Sequence, residues 1–313
     1  MTKHKKMKVL IAYDGSDCAD AALHDLRRAG LPRDVEAVVM TVADVILPPP
    51  LPVIADAGKL GFPSHIPAVP SGAGEQAFGA VEEAYALATR ARERLQADFP
   101  SWDVHAEAHG DSPAWAVIKK ADEWNPDLVV VGSHGRSTLG RMLLGSVSQT
   151  VVIHARCSVR VARGRIEAPD APVRIVVGVD GSPDAASALQ VVAERLWPHG
   201  SEVRVITALN RQIAATAQMR DASDADERQS AHSMVEASTE MLRAAGLVVS
   251  SVIKAGDPKQ LLPEEAEDWK ADGIFVGARG LRRIERFFLG SVSAAVAARA
   301  HCSVEVIRAG QKT

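Results

Sequence analysis

The residues with the clearest chemical potential are three glycines and a serine that follow an apolar run at 128–131. They stand at the spacing Gly-x2-Gly-x9-Gly-Ser and are Gly132, Gly135, Gly145 and Ser146. Glycine can take positive φ and has no Cβ, so the backbone at the first two can bend sharply and lie close to a ligand. Ser146 can cap a helix over the apolar run 147–155, whose free N–H groups and dipole attract anions. The pattern therefore predicts a phosphate site.

The same pattern occurs a second time, 145 positions further along the chain. Its residues are Gly277, Gly280, Gly290 and Ser291. A repeat of this length is a duplicated domain rather than a solenoid unit. The chain therefore predicts two phosphate sites, one in each half.

Each half also carries an Asp-Gly-Ser turn after its first apolar run. These turns begin at Asp14, after 8–13, and at Asp180, after 174–179. In an open parallel sheet, ligands bind beyond the carboxyl ends of the strands, where the strand order reverses. If the first and fourth strands are neighbours, Asp14 meets the Gly132 turn there. The turn and the helix would then hold phosphates, which leaves Asp14 for a ribose hydroxyl, a base edge or a phosphate-bound metal. A nucleotide is the predicted ligand.

Strands and helices alternate along both halves. The apolar patterns predict strands at 8–13, 35–42, 104–109, 128–131 and 158–162, and again at 174–179, 202–207, 248–254, 274–276 and 303–307. In the first half, helices are predicted after the first turn, at about 74–97 and at 113–123. This alternation predicts an α/β fold in which a parallel sheet has helices on both faces.

Length and repetition together predict two domains. A chain of 313 residues suits two domains of about 150 residues each. We divide it into 1–163 and 173–313, because the link between them contains a glycine and two prolines. The domains are predicted to be similar in fold but unequal in length.

The first half is predicted to carry an insertion. The offset between matching landmarks is 166 positions at Asp14 and Asp180 but 146 at Gly110 and Gly256, a difference of 20 residues. Seven prolines fall within about 44–74. Proline disrupts helices and inner strands, so we expect a long surface loop that leaves the second strand.

Composition argues against several classes of protein. The net charge is −3, and the single basic cluster, at 3–8, is expected to be a solvated tail rather than a nucleic-acid or membrane surface. No stretch approaches the ~18 consecutive apolar residues of a membrane span. The three cysteines lie far apart, which fits a reducing compartment and shows no zinc spacing. We therefore expect a cytoplasmic protein with no nucleic-acid partner, no membrane and no metal-binding side chains.

Each of these signals also has a simpler structural interpretation. Asp-Gly-Ser by itself is most often a turn and a helix cap, and a single Gly-x-x-Gly is weaker still. Repetition of the whole set at fixed spacing makes coincidence the weaker explanation. His134 could contact a phosphate, but Arg279 replaces it in the second half, so imidazole chemistry is not required. The chain has no Gly-x4-Gly-Lys-Ser/Thr and does not look like a Walker-type ATPase.

With these motifs the chain resembles the universal stress protein family in its tandem form, with two domains in one polypeptide. ATP-binding members carry Gly-x2-Gly-x9-Gly-Ser/Thr, and Asp-Gly-Ser after the first strand is similar to the family as well. The resemblance implies two Rossmann-like domains, each with a five-stranded parallel sheet of order 3-2-1-4-5 flanked by helices. It also implies pairing of domains through their last strands, which a tandem chain can achieve within one molecule and which leaves a homodimer open.

The resemblance implies ATP as the cofactor, with or without Mg, in the crevice of each domain. By position, Asp14 and Val42 would flank adenine and ribose in the first half, and Asp180 and Ala208 would do so in the second. The two glycine and serine motifs would hold the phosphates. No catalytic residue is predicted in either half.

Three functions remain open at this stage. The preferred one is an ATP-binding stress-response regulator that is non-catalytic or hydrolyses ATP slowly. The second is an enzyme that uses the crevice for ATP hydrolysis or adenylyl transfer. It ranks lower because no paired base and nucleophile is visible near the motifs, and because the Ser-Gly-Gly-x-Asp-Ser loop of ATP pyrophosphatases is missing. The third is a nucleotide-free partner-binding scaffold, against which the intact glycines argue.

Overall fold

The computed structural model of the chain describes residues 6–45, 73–134, 144–163, 168, 170–209, 217–280 and 289–309. The elements described in the first half are β1 (Met7–Ala12), α1 (Asp17–Asp25), β2 (Val35–Ala43), α2 (Ala73–Asp98), β3 (Asp103–Gly110), α3 (Pro113–Trp124), β4 (Leu128–Gly132), α4 (Ser146–His154) and β5 (Ser158–Ala162). Each predicted strand of this half is present, within two residues at either end. Most of the predicted proline-rich loop, 46–72, lies outside the described residues.

The second half repeats this order of elements. They are β6 (Arg174–Gly178), α5 (Pro183–Glu194), β7 (Glu202–Leu209), α6 (Ala217–Ala244), β8 (Val248–Ala255), α7 (Pro258–Asp268), β9 (Gly273–Gly277), α8 (Ser291–Arg299) and β10 (Ser303–Ile307). Across the described parts of both halves, no helix is both long enough and apolar enough to cross a membrane.

All ten strands belong to one sheet, in the order β3-β2-β1-β4-β5-β10-β9-β6-β7-β8. Each half therefore has the order 3-2-1-4-5, which confirms the prediction. The strand pairs within each half are parallel, whereas β5 and β10 pair antiparallel. Because of this antiparallel junction, the carboxyl ends of the strands point in opposite directions in the two halves. Each predicted site lies at the carboxyl ends of the strands of its own half, so the two sites face opposite directions along the strand axis.

The inner strands are almost wholly apolar because helices cover both faces of the sheet. In β4, Val129 and Val131 pack on one face, whereas Leu128 and Val130 pack on the other with residues of α1 and α2. The first face is shared: its core contains apolar residues of α3, α4, α7 and α8 together. The opposite face holds a separate core in each half. One apolar core therefore extends across both halves, and neither half could separate without exposing it.

The junction between β5 and β10 is short and fully buried at its centre. The facing residues are Val161 and Val304, Arg160 and Glu305, and Val159 and Val306. The two charged side chains are 3% and 1% exposed, and Arg160 Nη1 lies 3.1 Å from Glu305 Oε2. The pairing of domains through their last strands thus occurs within this single chain.

Two further charged side chains complete what we call the junction network, which consists of Asp25, Arg160, Arg195 and Glu305. Arg160 donates from Nε and Nη2 to the two carboxylate oxygens of Asp25, at 2.6 and 3.0 Å. Arg195 pairs with Glu305 from the other side. Burial alone lowers the pKa of Arg160, but the carboxylates of Asp25 and Glu305 raise it above its ordinary value. The junction network therefore contains two buried carboxylates and two buried guanidinium groups, and their charges sum to zero.

Two arginines that follow the junction strands fasten each half to the other. Arg163, directly after β5, donates to Ala297 O in the last turn of α8 at 2.6 Å. Arg308, directly after β10, donates to Val152 O in the last turn of α4 at 2.7 Å. The last carbonyls of a helix lack partners within the helix, and a cation there also complements the helix dipole. Each half therefore supplies one arginine that binds the last turn of a helix in the other half.

Candidate functional site

A cavity of about 500 Å³ lies at the carboxyl ends of β1, β2 and β4, where the strand order of the first half reverses. The predicted residues that line it are Asp14, Val42, Gly132, Gly145 and Ser146. Gly135, also predicted, lies outside the described residues. Small-molecule sites typically enclose roughly 300–1,000 Å³. The cavity therefore has the size that a mononucleotide needs.

The Asp-Gly-Ser turn forms one wall of this cavity. Asp14 Oδ1 accepts hydrogen bonds from the Ser16 amide at 3.0 Å and from Ser16 Oγ at 2.6 Å. Gly15 takes φ 74°, the left-handed conformation that glycine adopts without strain. Ser16 Oγ accepts from Ala19 N and caps α1. One oxygen of Asp14 thus holds the turn, and the turn starts the helix.

The structure gives Gly132 a different role from the sharp bend that the sequence suggested. Gly132 is the last residue of β4 and does not have positive φ. A Cβ added to it would lie 3.0 Å from Cys18 O and 3.3 Å from Ala19 N, in the first turn of α1. The missing side chain therefore lets the end of the strand pack against the start of a helix. Gly277 is placed in the same way, with a Cβ position only 2.6 Å from Ala185 N.

The prediction that Ser146 caps α4 is wrong by one residue. Gly145 is the N-cap, with φ −61° and ψ 153°, and Ser146 is the first helical residue and is exposed. Gly145 N donates to Ser133 O at 2.8 Å and thereby closes the segment between β4 and α4. The first bond within the helix runs from Gln149 N to Gly145 O at 2.8 Å.

The start of α4 faces the cavity, which Ser146, Val147 and Ser148 all line. The N–H groups of these residues precede the first bond within the helix and have no partner in it. Ser148 Oγ donates to Gly132 O at 2.6 Å and anchors the helix on the end of β4. Three main-chain donors and the positive end of the helix dipole are therefore held at the cavity, which suits an anion.

Two buried polar atoms at the cavity wall lack a hydrogen-bond partner among the described residues. They are Thr41 Oγ1 and His134 Nε2. Thr41 is only 3% exposed. A buried polar group without a partner costs on the order of 1–3 kcal/mol, so both atoms are locally unfavourable as they stand.

The His134 side chain is neutral rather than cationic at neutral pH. Its Nδ1 lies 3.1 Å from Ser133 Oγ. Burial lowers the pKa of His134, and the nearby charge of Arg163 lowers it further. At neutral pH its role at the cavity is therefore hydrogen bonding rather than charge.

Tyr13, at the end of β1, also lines the cavity. Burial raises the pKa of its phenol to about 12, helped by the hydrogen bond that Tyr13 donates to Asp20 Oδ1 at 2.7 Å. The sequence analysis did not single out this residue. The Tyr13 phenol at the cavity therefore stays protonated at neutral pH.

We expect the Tyr13 phenol to titrate near pH 12 in the folded protein, as followed by absorbance at 295 nm in a Tyr85→Phe background. Asp20→Asn should lower this midpoint, because it removes the charge that disfavours phenolate. Since the folded pKa lies above the unfolded value of about 10, the associated stability is complete below pH 10 and is lost as the pH rises to about 12. A midpoint near 10 that Asp20→Asn left unchanged would contradict this assignment.

The second half brings its predicted residues together in a different way. Asp180 lies against the glycine turn, since a Cβ on Gly280 would stand 2.8 Å from Asp180 Oδ2. Gly290 is the N-cap of α8 and donates to Ala278 O at 2.7 Å, and Ser291 is the first residue of that helix. Ala208 lies in β7, near the carboxyl end of that strand. The glycine of the Gly-Ser pair is therefore the N-cap in both halves.

The second half also contains an ion pair at the place where the first half has His134. Arg279 donates from Nε and Nη2 to the two carboxylate oxygens of Asp184, at 2.9 and 3.0 Å. The Arg279 amide donates to the same carboxylate at 3.1 Å. Asp184 is 4% exposed and belongs to the first turn of α5. Three hydrogen bonds thus hold the turn against the start of the helix.

One face of α2 lines the first cavity and was not foreseen. Its residues there are Ala80, Glu83, Ala84 and Leu87. Their spacing is that of one helical face, so periodicity could have found them. Among the described residues there is no group of three or more His, Cys, Asp or Glu side chains that could hold a metal ion.

Comparison with known proteins supports a common family for both halves. A sequence model of the universal stress protein family matches residues 6–163 and again 173–308. A universal stress protein of Mycobacterium tuberculosis is 29% identical over 331 aligned positions, which cover 98% of this chain and 99% of the relative.

A solved structure agrees with the fold over nearly the whole chain. The crystal structure of a universal stress protein from Archaeoglobus fulgidus has a TM-score of 0.62 and 22% identity, and the match covers 97% of this chain and 98% of that one. A universal stress protein in complex with cAMP matches 44% of this chain and 96% of its own, at 26% identity and a TM-score of 0.33.

Proposed function

The chain belongs to the universal stress protein family as two domains in tandem, and from this premise we propose that it is an ATP-binding stress-response regulator. The single observation that carries the proposal is the first cavity, at which the first N–H groups of α4 have no partner within the helix. A polyanion with hydrogen-bond acceptors would satisfy these N–H groups at once.

Within this proposal, each predicted residue has a position that suits its role. Asp14 and Val42 would flank ribose and adenine, because both line the cavity at the carboxyl ends of β1 and β2. Asp14 Oδ2 takes no part in the turn's hydrogen bonds and could accept from a ribose hydroxyl. Gly132, Gly145 and Ser146, with Gly135, would form the phosphate end. Asp180, Ala208 and the motif from Gly277 to Ser291 occupy the matching positions of the second half, and whether they also bind ATP is a separate question.

The proposed role is non-catalytic or slowly hydrolysing. The nearest pair that resembles a nucleophile and a base is Ser133 and His134, at 3.1 Å. Ser133 is 6% exposed, and its hydroxyl donates to Cys18 Sγ rather than facing the cavity. A hydroxyl in that position cannot attack a bound phosphate. The enzymatic alternative therefore finds no support in this pair.

We also propose domains at 1–163 and 173–313, a division that the two family matches support. A cytoplasmic location is part of the proposal, because all three cysteines are free thiols, as a reducing compartment would keep them. Magnesium, where present, would come bound to the phosphates. Asp14, which lines the cavity, is the predicted carboxylate that could contact it.

The test is to purify the full chain, denature it, and identify any released nucleotide and its ratio to chain. We expect an adenine nucleotide and very slow turnover of added ATP. Competition with GTP and cAMP defines the preference for base and phosphate. Rapid turnover would favour the enzyme, and a protein that neither carries nor binds nucleotide would favour the scaffold.

We expect Asp14→Asn to weaken ATP binding by roughly ten-fold, about 1.4 kcal/mol, as measured by calorimetry. An asparagine Oδ1 can still accept from Ser16, so the turn should persist, but the charge-assisted bond to a ribose hydroxyl is lost. Asp44→Asn is the matched control, since Asp44 is an exposed carboxylate that lines the same cavity. Equal losses in both variants would show that only the general charge of the cavity matters.

A further inference from the structure

We propose that ATP occupies the first cavity alone, because in the second half the carboxylate of Asp184 holds Arg279, the residue that takes the place of the cavity-lining His134. This inference rests on the proposed function of the first cavity. It assigns ATP binding to the first domain only, although both domains carry the same glycine and serine motif.

Matching positions in the two halves differ in chemistry. The repeat places Cys18 opposite Asp184 and His134 opposite Arg279. The first half thus has a thiol and a neutral imidazole where the second has a carboxylate and a guanidinium. The two differences are coupled, because the carboxylate at the start of the helix binds the cation of the turn.

The ion pair engages donors that a phosphate would otherwise meet. Nε and Nη2 of Arg279 and its main-chain amide all donate to Asp184. Ser182 Oγ donates to Arg279 O at 3.1 Å and fixes the turn from the other side. An approaching anion would have to compete for Arg279 with a bidentate carboxylate that is 4% exposed.

A second carboxylate lies at the turn itself. Asp180 Oδ2 is so close to Gly280 that even a Cβ there would meet it at 2.8 Å. Asp14 is its counterpart in the first half, so this carboxylate is common to both halves. The helices α4 and α8 also begin alike, each with a glycine N-cap, so the difference between the sites lies at Asp184 and Arg279.

The threonines at the ends of β2 and β7 show the same contrast. Thr41 Oγ1 has no partner among the described residues, whereas Thr207 Oγ1, at the matching position, donates to Val179 O at 3.1 Å. In the first half, Thr41 Oγ1 and His134 Nε2 have no hydrogen-bond partner among the described residues. In the second half Thr207 and Arg279 are satisfied by the protein itself, as is typical of a place that needs no ligand.

The test is equilibrium dialysis of the full chain against radiolabelled ATP. Wild type should bind one ATP per chain at saturation. Asp184→Cys, which restores the first-half residue and frees Arg279, should raise this to two, and Asp184→Asn is a second variant in case the first does not fold. Ser291→Glu, at an exposed position of the second half, should leave one ATP bound.

Each result decides the matter. Two ATP per wild-type chain would overturn this inference and leave the proposed function intact. One ATP per chain in both Asp184 variants, or loss of the bound ATP in Ser291→Glu, would also overturn it. No binding to wild type at millimolar ATP would overturn the proposed function as well.

Discussion

Replacing Ser146 by glutamate is expected to weaken ATP binding by about 100-fold, equivalent to about 2.8 kcal/mol. Ser146 is the first residue of α4, is exposed, and lines the first cavity. A carboxylate there would occupy the phosphate end and repel the triphosphate. Two unit charges about 4 Å apart at a protein surface interact by about 4 kcal/mol, and screening by salt reduces this.

The same substitution should leave the fold intact. An acidic residue in the first turn of a helix is favourable by about 0.3–1 kcal/mol, because it complements the helix dipole. Thermal unfolding should therefore show an unchanged or slightly higher midpoint, while calorimetry shows the loss of affinity. Loss of binding without loss of stability would separate the site from the scaffold.

Ser291→Glu is the matched control for this prediction. It places the same side chain at the first position of α8, which is also exposed. We expect ATP affinity to remain within about two-fold of wild type. If Ser146→Glu bound ATP as well as wild type does, α4 would not contact phosphates, and the assignment of the first cavity would fail.

Removing Arg160 is expected to destabilise the protein by about 3–5 kcal/mol, the usual cost of leaving a buried charge without its partner. Arg160→Met fills a similar volume but leaves both Asp25 and Glu305 buried, and Arg195 compensates for only one of them. The effect should appear as a lower midpoint in urea. Because β5 forms the junction, the loss falls on the contact between the halves.

Lys6→Met provides the control for this second prediction. Lys6 pairs with Asp34 at 3.0 Å, but the two side chains are 44% and 64% exposed. Exposed pairs contribute about 0–1 kcal/mol, so the urea midpoint should barely move. An Arg160→Met variant as stable as the Lys6→Met variant would show that the junction network does not hold the halves together.

Much of this architecture could be predicted from local pattern. The strands β5 and β10 begin and end where predicted, because valines, which favour strands, flank the one charged residue in each. The sheet order came from the family resemblance instead, since periodicity does not tell which strands are neighbours. The role of Ser146 was misjudged by one residue because a Gly-Ser pair contains two acceptable N-cap residues and the backbone chose the first.

The contacts that distinguish the two halves were beyond local pattern. Asp184 and Arg279 are separated by 95 positions, and neither residue alone signals a partner. Thr41 and Thr207 are identical in type and differ only in what their hydroxyls meet. Each half is therefore recognisable from its motif, whereas the state of its site depends on side chains that only the folded chain brings together.

The antiparallel junction makes the chain a permanent pair. Two separate subunits would come apart on dilution, whereas two tethered domains meet at an effective concentration that their linker sets, of millimolar order for short flexible connections. The pairing therefore does not depend on how much protein a cell makes. A gene that always supplies both halves in equal number also frees each from having to match a copy of itself. Arg160 can face Glu305 instead of another arginine, and the two domains can differ in the chemistry of their sites.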